Sequence, residues 1–172
     1  PLPFSSSVYL ASEAIQRFGT EAQKSEWLPK LASGECVATV AMAERPGRLS
    51  LEGLETRRSG SQISGKKVPV PDASVADVAV VLARSEAGLE ACLMPLQQSG
   101  ISIEPVITFD TSRGHSALTL EGADVQVLGE RALDAGEWER LIEGAAVLFA
   151  WEQLGVAESA LIQARHYALQ RF

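Results

Sequence analysis

The chain has 172 residues, and 15 lysines and arginines against 22 aspartates and glutamates give it a formal net charge of −7. With 46% hydrophobic and 22% charged residues, it has a globular composition and enough length to bury a hydrophobic core. The negative charge argues against partners that are polyanions, such as nucleic acids and anionic membranes. No apolar run approaches the roughly 20 residues that span a bilayer, and no secretory signal opens the chain. We therefore expect a cytoplasmic protein without a membrane span.

The cysteine and histidine content does not predict a metal site. Cys36 and Cys92 lie far apart without a C-x-x-C motif, and the chain holds only two histidines. This pattern is typical of two buried thiols in a reducing compartment. His115 and His166 have no Cys, Ser or carboxylate partner at a known catalytic spacing. We therefore predict that His115 is a polar loop residue and that His166 lies on a solvated helix face.

The first 34 residues predict two short helices. One of Ser5–Ser7 can cap the first helix, and Gly19 supplies its stop. Thr20 and Gln23 have the form of a capping box, in which each side chain bonds the backbone N–H of the other residue. Pro29 is expected to break or restart the second helix, because proline lacks the N–H that a helix interior needs.

The middle of the chain predicts a β domain. Short runs rich in β-branched residues recur about every ten residues with Gly, Pro and Ser between them, which is typical of an antiparallel sandwich or small barrel. The predicted strands are Cys36–Met42, a strand that meets a turn at Ile63–Lys67, Asp77–Leu82, Leu89–Met94, Ile101–Thr108, Ala117–Leu120 and Val125–Leu128. Neither of the two common phosphate-binding glycine motifs occurs. Basic residues occur at Arg57-Arg58, Lys66-Lys67 and Arg84. We expect them to lie on the solvated surface rather than to bind phosphate.

A long helix is predicted after Asp134, which forms a second capping pair with Glu137. An apolar stripe follows at helical spacing: Trp138, Leu141, Ile142, Ala145, Leu148, Phe149 and Leu154. From 137 to 172 the helix would be about 54 Å long, well beyond the usual globular length. We therefore expect it to pack against helices that this sequence does not contain, and we expect the sequence to be the middle of a larger protein. Glu143 lies beside the stripe. We expect it to be a charge at the rim of the apolar surface rather than a buried catalytic base with a shifted pKa.

Several segments resemble, in order and spacing, the motifs of the acyl-CoA dehydrogenase family. The family's motifs are G-[ST]-E-x-Q-K followed by L-P-x-L-A-x-G-E, then A-x-T-E, N-G-x-K, A-D-x-x-V-V-x-A-R, a bacterial D-x-x-R, and a helix before Q-F-G. The matching segments here are 18–24 and 27–35, then 41–44, 64–67, 75–84, 110–113 and 150–171. The match covers nearly the whole chain.

The resemblance implies an α+β fold. Family members have an N-terminal helical domain, a middle β domain and a C-terminal four-helix bundle. On this pattern, residues 1–34 end the N-terminal helical domain, 35–131 form the central antiparallel β-barrel or sandwich domain, and 132–172 begin the first helix of the four-helix bundle. Members are dimers or dimers of dimers, so the resemblance also implies an oligomer.

The resemblance implies an FAD-dependent oxidoreductase of fatty acid metabolism, which dehydrogenates an acyl-CoA thioester between its α and β carbons. In the family a Glu takes the α-proton and FAD accepts the β-hydride. The usual Glu belongs to the part of the bundle beyond Phe172. Where members place it on the first bundle helix instead, the matching position is Ala145, and Glu143 lies on a different face. We therefore assign no catalytic residue within this sequence.

The flavin positions depart from the family pattern. The resemblance places contacts to FAD at Met42, Ala43, Val70 and Arg171. Ala43 replaces the Thr of A-x-T-E, Arg48-Leu49-Ser50 replaces G-S-D, and Pro69-Val70-Pro71 replaces a W-I-T strand. The changes at Ala43 and at Pro69 and Pro71 remove hydrogen-bonding groups, since alanine has no hydroxyl and proline has no N–H. Arg171 matches the Arg that reaches the FAD pyrophosphate of the neighbouring subunit, a role that suits a guanidinium.

Three functions stay open on this sequence. The first is a flavin-dependent acyl-CoA dehydrogenase that acts on an acyl-CoA substrate. The second is a non-catalytic partner subunit of the same fold, which completes the FAD site of an active subunit through Arg171 in a hetero-oligomer. The altered segments 42–50 and 69–71 favour this second reading. The third is an acyl-CoA oxidase or another flavin-dependent relative.

Overall fold

The computed structural model describes residues 2–47, 49–110 and 112–171. Four positions lie outside the described residues, among them one in the altered G-S-D segment and one in the D-x-x-R segment: Pro1, Arg48, Thr111 and Phe172. Helices stand at both ends of the chain and a sheet lies between them, so the predicted α+β class is confirmed.

The described part of the chain forms three helices. The first begins as a π-helix over Ser5–Ser12 and continues as α1 over Glu13–Phe18, while α2 spans Glu21–Ser33 and α3 spans Ala135–Leu169. The predicted stop after α1 is confirmed at Gly19. Both predicted capping boxes are confirmed, at Thr20 with Gln23 and at Asp134 with Glu137.

Two helix predictions are wrong. Ser5–Ser7 do not cap the first helix. Phe4 precedes the π-helix without a side-chain cap, and the three serines are buried within its first turn. Pro29 does not interrupt α2. Pro29 and Ser25 are both exposed, so the Ser25 carbonyl that loses its N–H partner can bond to water instead.

Within the described residues, the sheet has eight strands. They are β1 (Ala38–Ala41), β2 (Arg57–Ser59), β3 (Gln62–Pro71), β4 (Val78–Ser85), β5 (Gly88–Pro95), β6 (Ile101–Pro105), β7 (His115–Asp124) and β8 (Gln126–Val127). The order is β6-β7-β3-β2-β4-β5-β8, and β1 also pairs with β4. The strand predicted at Ile63–Lys67 is present, but the turn predicted within this segment is wrong, because all five residues belong to β3.

The sheet differs in two respects from the antiparallel barrel or sandwich that we expected. It is mixed, since β1 and β2 both pair parallel to β4. It is also not a closed barrel. Closure requires the two edge strands to pair, but within the described residues β6 pairs only with β7 and β8 pairs only with β5.

Two hydrophobic cores lie on opposite faces of the sheet, and β4 separates them. Val78, Val80 and Leu82 alternate along β4 into a core shared with the helices, while the residues between them face a second core inside the curved sheet. This period of two is what a strand buried on both faces requires. Cys36 and Cys92 are buried free thiols, as the sequence predicted, and burial raises the pKa of Cys92 to about 12.

The helix α3 is packed along its first part only. Trp138, Leu141 and Ala145 are buried, and the Trp138 ring stacks on Phe18 with centroids 6.0 Å apart. Every residue in 153–171 is exposed. This apolar, uncovered part is what a helix of a larger bundle requires. Membership of a four-helix bundle and the domain boundaries 1–34, 35–131 and 132–172 stay predictions.

By length and composition α3 is also apolar enough to cross a membrane. A helix that packs inside a larger soluble protein passes the same test. Glu152 at the midpoint of α3 accepts a 2.8 Å hydrogen bond from Ser5 and pairs with Arg113. Because these contacts bind α3 to the rest of the chain, we keep the expectation of no membrane span as a prediction.

Gln23 provides a test of how the helices attach to the sheet. Its side-chain oxygen accepts from the N–H groups of Thr20 and Gly129 at 3.0 and 2.9 Å, and its amide donates to the Val127 carbonyl at 2.8 Å. In the full-length protein, Gln23→Ala should lower the free energy of unfolding by about 2–3 kcal/mol, because a cap is lost and buried backbone groups lose their partner. Denaturant unfolding measures this loss.

The matched control is Gln16→Ala, which changes an exposed glutamine of α1. Its cost should stay within about 0.5 kcal/mol. Equal losses in the two variants would contradict a bridging role for Gln23.

Candidate functional site

A cleft of about 490 Å³ opens where the first helix, the sheet and α3 meet. Each of the three units supplies one wall. Most of the lining is apolar, and a few polar side chains lie along it. Such a composition is typical of a small-molecule site.

The sheet wall consists of four residues from two segments. Met42 and Ala43 follow β1, and Pro69 and Pro71 belong to β3. A backbone hydrogen bond of 2.8 Å from the Val68 N–H to the Ala43 carbonyl joins the two segments. The four side chains carry no hydrogen-bond donor, so this wall is an apolar surface.

A buried ion pair lies behind the sheet wall. The Lys67 side chain has no exposed surface, and its Nζ lies 3.0 Å from Glu44 Oε1. The same Nζ donates to the Met42 carbonyl at 3.2 Å. Because Met42 and Glu44 flank Ala43 in the chain, Lys67 holds the backbone of the wall from behind.

Backbone donors complete the surroundings of Glu44. Its carboxylate accepts from the N–H groups of Glu55 at 2.6 Å and of Thr56 at 2.8 Å. Thr56 lies directly against Gly65 of β3, where an added Cβ would come within 2.6 Å of Thr56 Oγ1. Gly65 also has a φ of 148°, so both space and conformation require glycine at this position.

These contacts shift both pKa values of the pair. Burial by itself would raise the pKa of Glu44, but hydrogen bonds from Thr56, Glu55 and Lys67 outweigh it and lower the pKa to about 2. Burial lowers the pKa of Lys67 to about 8, and Glu44 opposes that change. Both groups are therefore charged at neutral pH.

The α3 wall is apolar. Ile142, Ala145, Ala146 and Phe149 line the cleft, and the Phe149 ring meets Tyr9 edge to face with centroids 5.5 Å apart. Ala145 is the position where the resemblance places a base in some family members. In this chain the side chain at that position is a methyl group, which cannot act as a base.

The polar side chains come from the first helix and from the ends of β3 and β7. Ser6 Oγ donates to Asp72 Oδ2 at 2.6 Å. Arg113, which also lines the cleft, pairs with Glu152 of α3. His115 lines the cleft as well, and its Nδ1 lies 3.2 Å from the Arg113 carbonyl oxygen. The sequence predicts a loop residue at His115, and this is wrong, because His115 is the first residue of β7.

The four residues predicted to contact FAD do not lie together. Met42 and Ala43 line the cleft, and Val70 is fully buried behind it between the lining residues Pro69 and Pro71. Arg171 is exposed and lies over the Tyr167 ring, 5.5 Å from its centroid. Tyr167 is 18 residues beyond Phe149, or about 27 Å along α3. The FAD contacts stay predictions.

Sequence reasoning missed the charged side chains that build the site. We expected Arg58 and Lys67 to be solvated, and this is wrong for both. Arg58 donates to both oxygens of Glu90 at 2.6 and 3.0 Å in a largely buried pair. A signal for Lys67 was present, because Glu44 and Lys67 are the charged residues of the A-x-T-E and N-G-x-K motifs. No signal pointed to Asp72 or Ser6. Among the described residues, no cluster of three metal-binding side chains occurs.

Comparisons with known proteins agree with this architecture. Residues 2–35 match the family model for the N-terminal domain of acyl-CoA dehydrogenases. The chain is 28% identical over 172 residues to the acyl-CoA dehydrogenase FadE27 of Mycobacterium tuberculosis, covering 99% of this chain and 45% of that protein. It is 26% identical over 187 residues to the short-chain specific acyl-CoA dehydrogenase of Megasphaera elsdenii, covering 99% and 48%.

Solved structures give the same result. A glutaryl-CoA dehydrogenase from Mycobacterium smegmatis matches with a TM-score of 0.73 and 31% identity, over 82% of this chain and 38% of that one. Butyryl-CoA dehydrogenase from Megasphaera elsdenii shares the fold with a TM-score of 0.85 at 23% identity, over 98% and 48%. The chain spans about half the length of the curated relatives it matches.

The ion pair behind the sheet wall predicts a response to acid. The pKa of Glu44 in the folded protein, about 2, lies below its ordinary value of 4.5. Its stabilising contribution is therefore fully present above about pH 4.5 and is lost as the pH falls toward 2. In the full-length protein at pH 7, Glu44→Gln should lower the free energy of unfolding by about 3 kcal/mol, since it leaves the Lys67 charge buried without its counter-ion.

Denaturant unfolding between pH 2 and pH 7 measures both effects. Glu44→Gln should also lose part of the acid sensitivity of the unmodified protein. Glu55→Gln is the control, because Glu55 is exposed and its side chain takes no part in the pair. An acid response that is identical in all three proteins would refute the role of Glu44.

Proposed function

We propose that this chain, as a relative of the acyl-CoA dehydrogenases, is the central part of a flavoprotein that dehydrogenates an acyl-CoA thioester. The single observation that carries the proposal is the cleft between the first helix, the sheet wall and α3. Its apolar walls suit an acyl chain next to a flat aromatic ring system.

A second groove next to the cleft is consistent with a long ligand that occupies both. It has a volume of about 640 Å³ and shares Leu49 and Ile142 with the cleft. Three carboxylates also line it: Glu52, Glu139 and Glu143. These acidic side chains disfavour phosphates, so the groove suits the uncharged pantetheine arm of CoA rather than its nucleotide end.

FAD fits the sheet wall in one respect. Met42, Ala43, Pro69 and Pro71 offer apolar surface to the flat face of an isoalloxazine ring. When bound, FAD would supply the acceptor for the hydride that leaves the β-carbon. The chain's own residues bind the ring and shield it from water, and Lys67 and Glu44 hold the wall that they form.

The proton step requires a residue from outside this sequence. A general base must lie within hydrogen-bond reach of the α-carbon proton. Ala145 gives α3 no carboxylate at the position where some family members carry one. We therefore propose that the base comes from the remainder of the longer protein, which forms a cytoplasmic homo- or hetero-oligomer.

The composition of the sheet wall favours a second function. The polar edge of a flavin needs hydrogen-bond partners, and an unpaired polar edge costs about 1–3 kcal/mol per group. Ala43, Pro69 and Pro71 provide no side-chain donor, and the prolines provide no N–H either. The alternative is a non-catalytic subunit of the same fold, which lends Arg171 to the FAD site of an active partner.

Flavin content separates these two functions. Because the cleft has an apolar surface that fits the ring, we expect the full-length protein purified alone to absorb near 450 nm with close to one FAD per chain. The measurement is repeated after co-expression with a related acyl-CoA dehydrogenase subunit. A protein that is colourless alone and yellow only with its partner would overturn the first function in favour of the second.

Arg171 has its own test. If it binds the pyrophosphate of FAD, Arg171→Ala should lower flavin retention after gel filtration about tenfold or more, since a charge-assisted pair with phosphate is lost. Arg165→Ala is the control, because Arg165 is also exposed on α3. Equal retention in the two variants would refute the assignment of Arg171.

A further inference from the structure

Among the described residues that line the cleft, one carboxylate has no charged partner. Asp72 and Arg113 both line it, but Arg113 is neutralised by Glu152. The partner of Asp72 is the neutral hydroxyl of Ser6. No described basic side chain forms an ion pair with Asp72. The described lining therefore carries a negative charge that a ligand can compensate.

The backbone holds Asp72 rigidly at the end of β3. Its φ is 52°, the left-handed region that Asp and Asn tolerate better than most residues. The Asp72 N–H donates to the Gly114 carbonyl at 2.9 Å, and the Asp72 carbonyl accepts from Val75 and Ala76 at 3.1 Å each. Ser6 then fixes the side chain by bonding Oδ2. A carboxylate held in this way loses little freedom when a ligand binds.

An apolar cleft with a single unneutralised carboxylate complements a ligand that is apolar along its length and positive at one point. A charged pair inside a cleft of low polarity is stronger than the same pair in water. We propose that Asp72 recognises an ammonium group on the acyl part of the thioester, and that Ser6 positions its carboxylate. This inference rests on the proposed function, because it names the acyl group that the cleft selects.

Paired ligands that differ only in charge provide the test. The probes are β-alanyl-CoA with 3-hydroxypropionyl-CoA, and 6-aminohexanoyl-CoA with 6-hydroxyhexanoyl-CoA, so that each pair exchanges an ammonium for a hydroxyl. Hexanoyl-CoA serves as the unsubstituted reference. Calorimetry on the full-length protein measures the dissociation constants directly and does not depend on turnover.

In at least one pair, the amino ligand should bind about tenfold or more tightly than its hydroxy counterpart. Asp72→Asn should reduce that ratio to about one, since the amide keeps the shape, the left-handed backbone and an acceptor for Ser6 but loses the charge. Ser6→Ala should reduce the ratio less. The control is Asp124→Asn, which neutralises an exposed aspartate at the end of β7 and should leave the ratio unchanged.

Three results would overturn the inference. One is the absence of an amino preference in both pairs, and another is a preference that survives in Asp72→Asn. In both cases tight binding of hexanoyl-CoA would leave the proposed function standing. The third is the absence of binding by every thioester, which would overturn the inference and the proposed function together.

Discussion

The buried pair of Lys67 and Glu44 is the interaction on which the rest of the site depends. One ammonium binds the Glu44 carboxylate and the Met42 carbonyl, and that carboxylate binds the N–H groups of two residues before β2. Three segments that are distant in sequence therefore meet at one point. An ion pair whose ammonium is fully buried is costly to assemble and more costly to break. The position of Ala43 in the cleft follows from this pair.

The walls of the cleft differ in how firmly they are held. The sheet wall is supported from behind by the ion pair and by a backbone hydrogen bond between Val68 and Ala43. The α3 wall packs through Trp138, Leu141 and Ala145, but beyond Glu152 every described residue of the helix is exposed. A ligand in this cleft thus lies between a rigid surface and a helix whose outer part is exposed. This asymmetry agrees with a chain that spans about half the length of its relatives.

Local signals in the sequence predicted the features that depend on local chemistry. Both capping boxes, the stop at Gly19 and the buried strand β4 follow from residues within a few positions of one another. The parallel pairing of β1 and β2 with β4 was missed, because strand pairing depends on contacts across the fold. The resemblance to a family directed attention to Met42 and Ala43, which line the cleft, although their contacts to FAD stay predictions. It gave no hint of Ser6 and Asp72, which are 66 positions apart and meet only after the helix docks on the sheet.

The π-helix over Ser5–Ser12 determines which side chains of the first helix face the cleft. Its wider turn, with hydrogen bonds from residue i to i+5, accommodates one more residue than an α-helix of the same height. Over Ser5–Ser12 this spacing lets Ser5 meet Glu152, Ser6 meet Asp72 and Ser7 accept from the Ala38 N–H. Deleting a single residue from this segment would restore an α-helix and turn the serines by about 100° around the helix axis. A relative one residue shorter here would keep the fold but present a different set of side chains to its ligand.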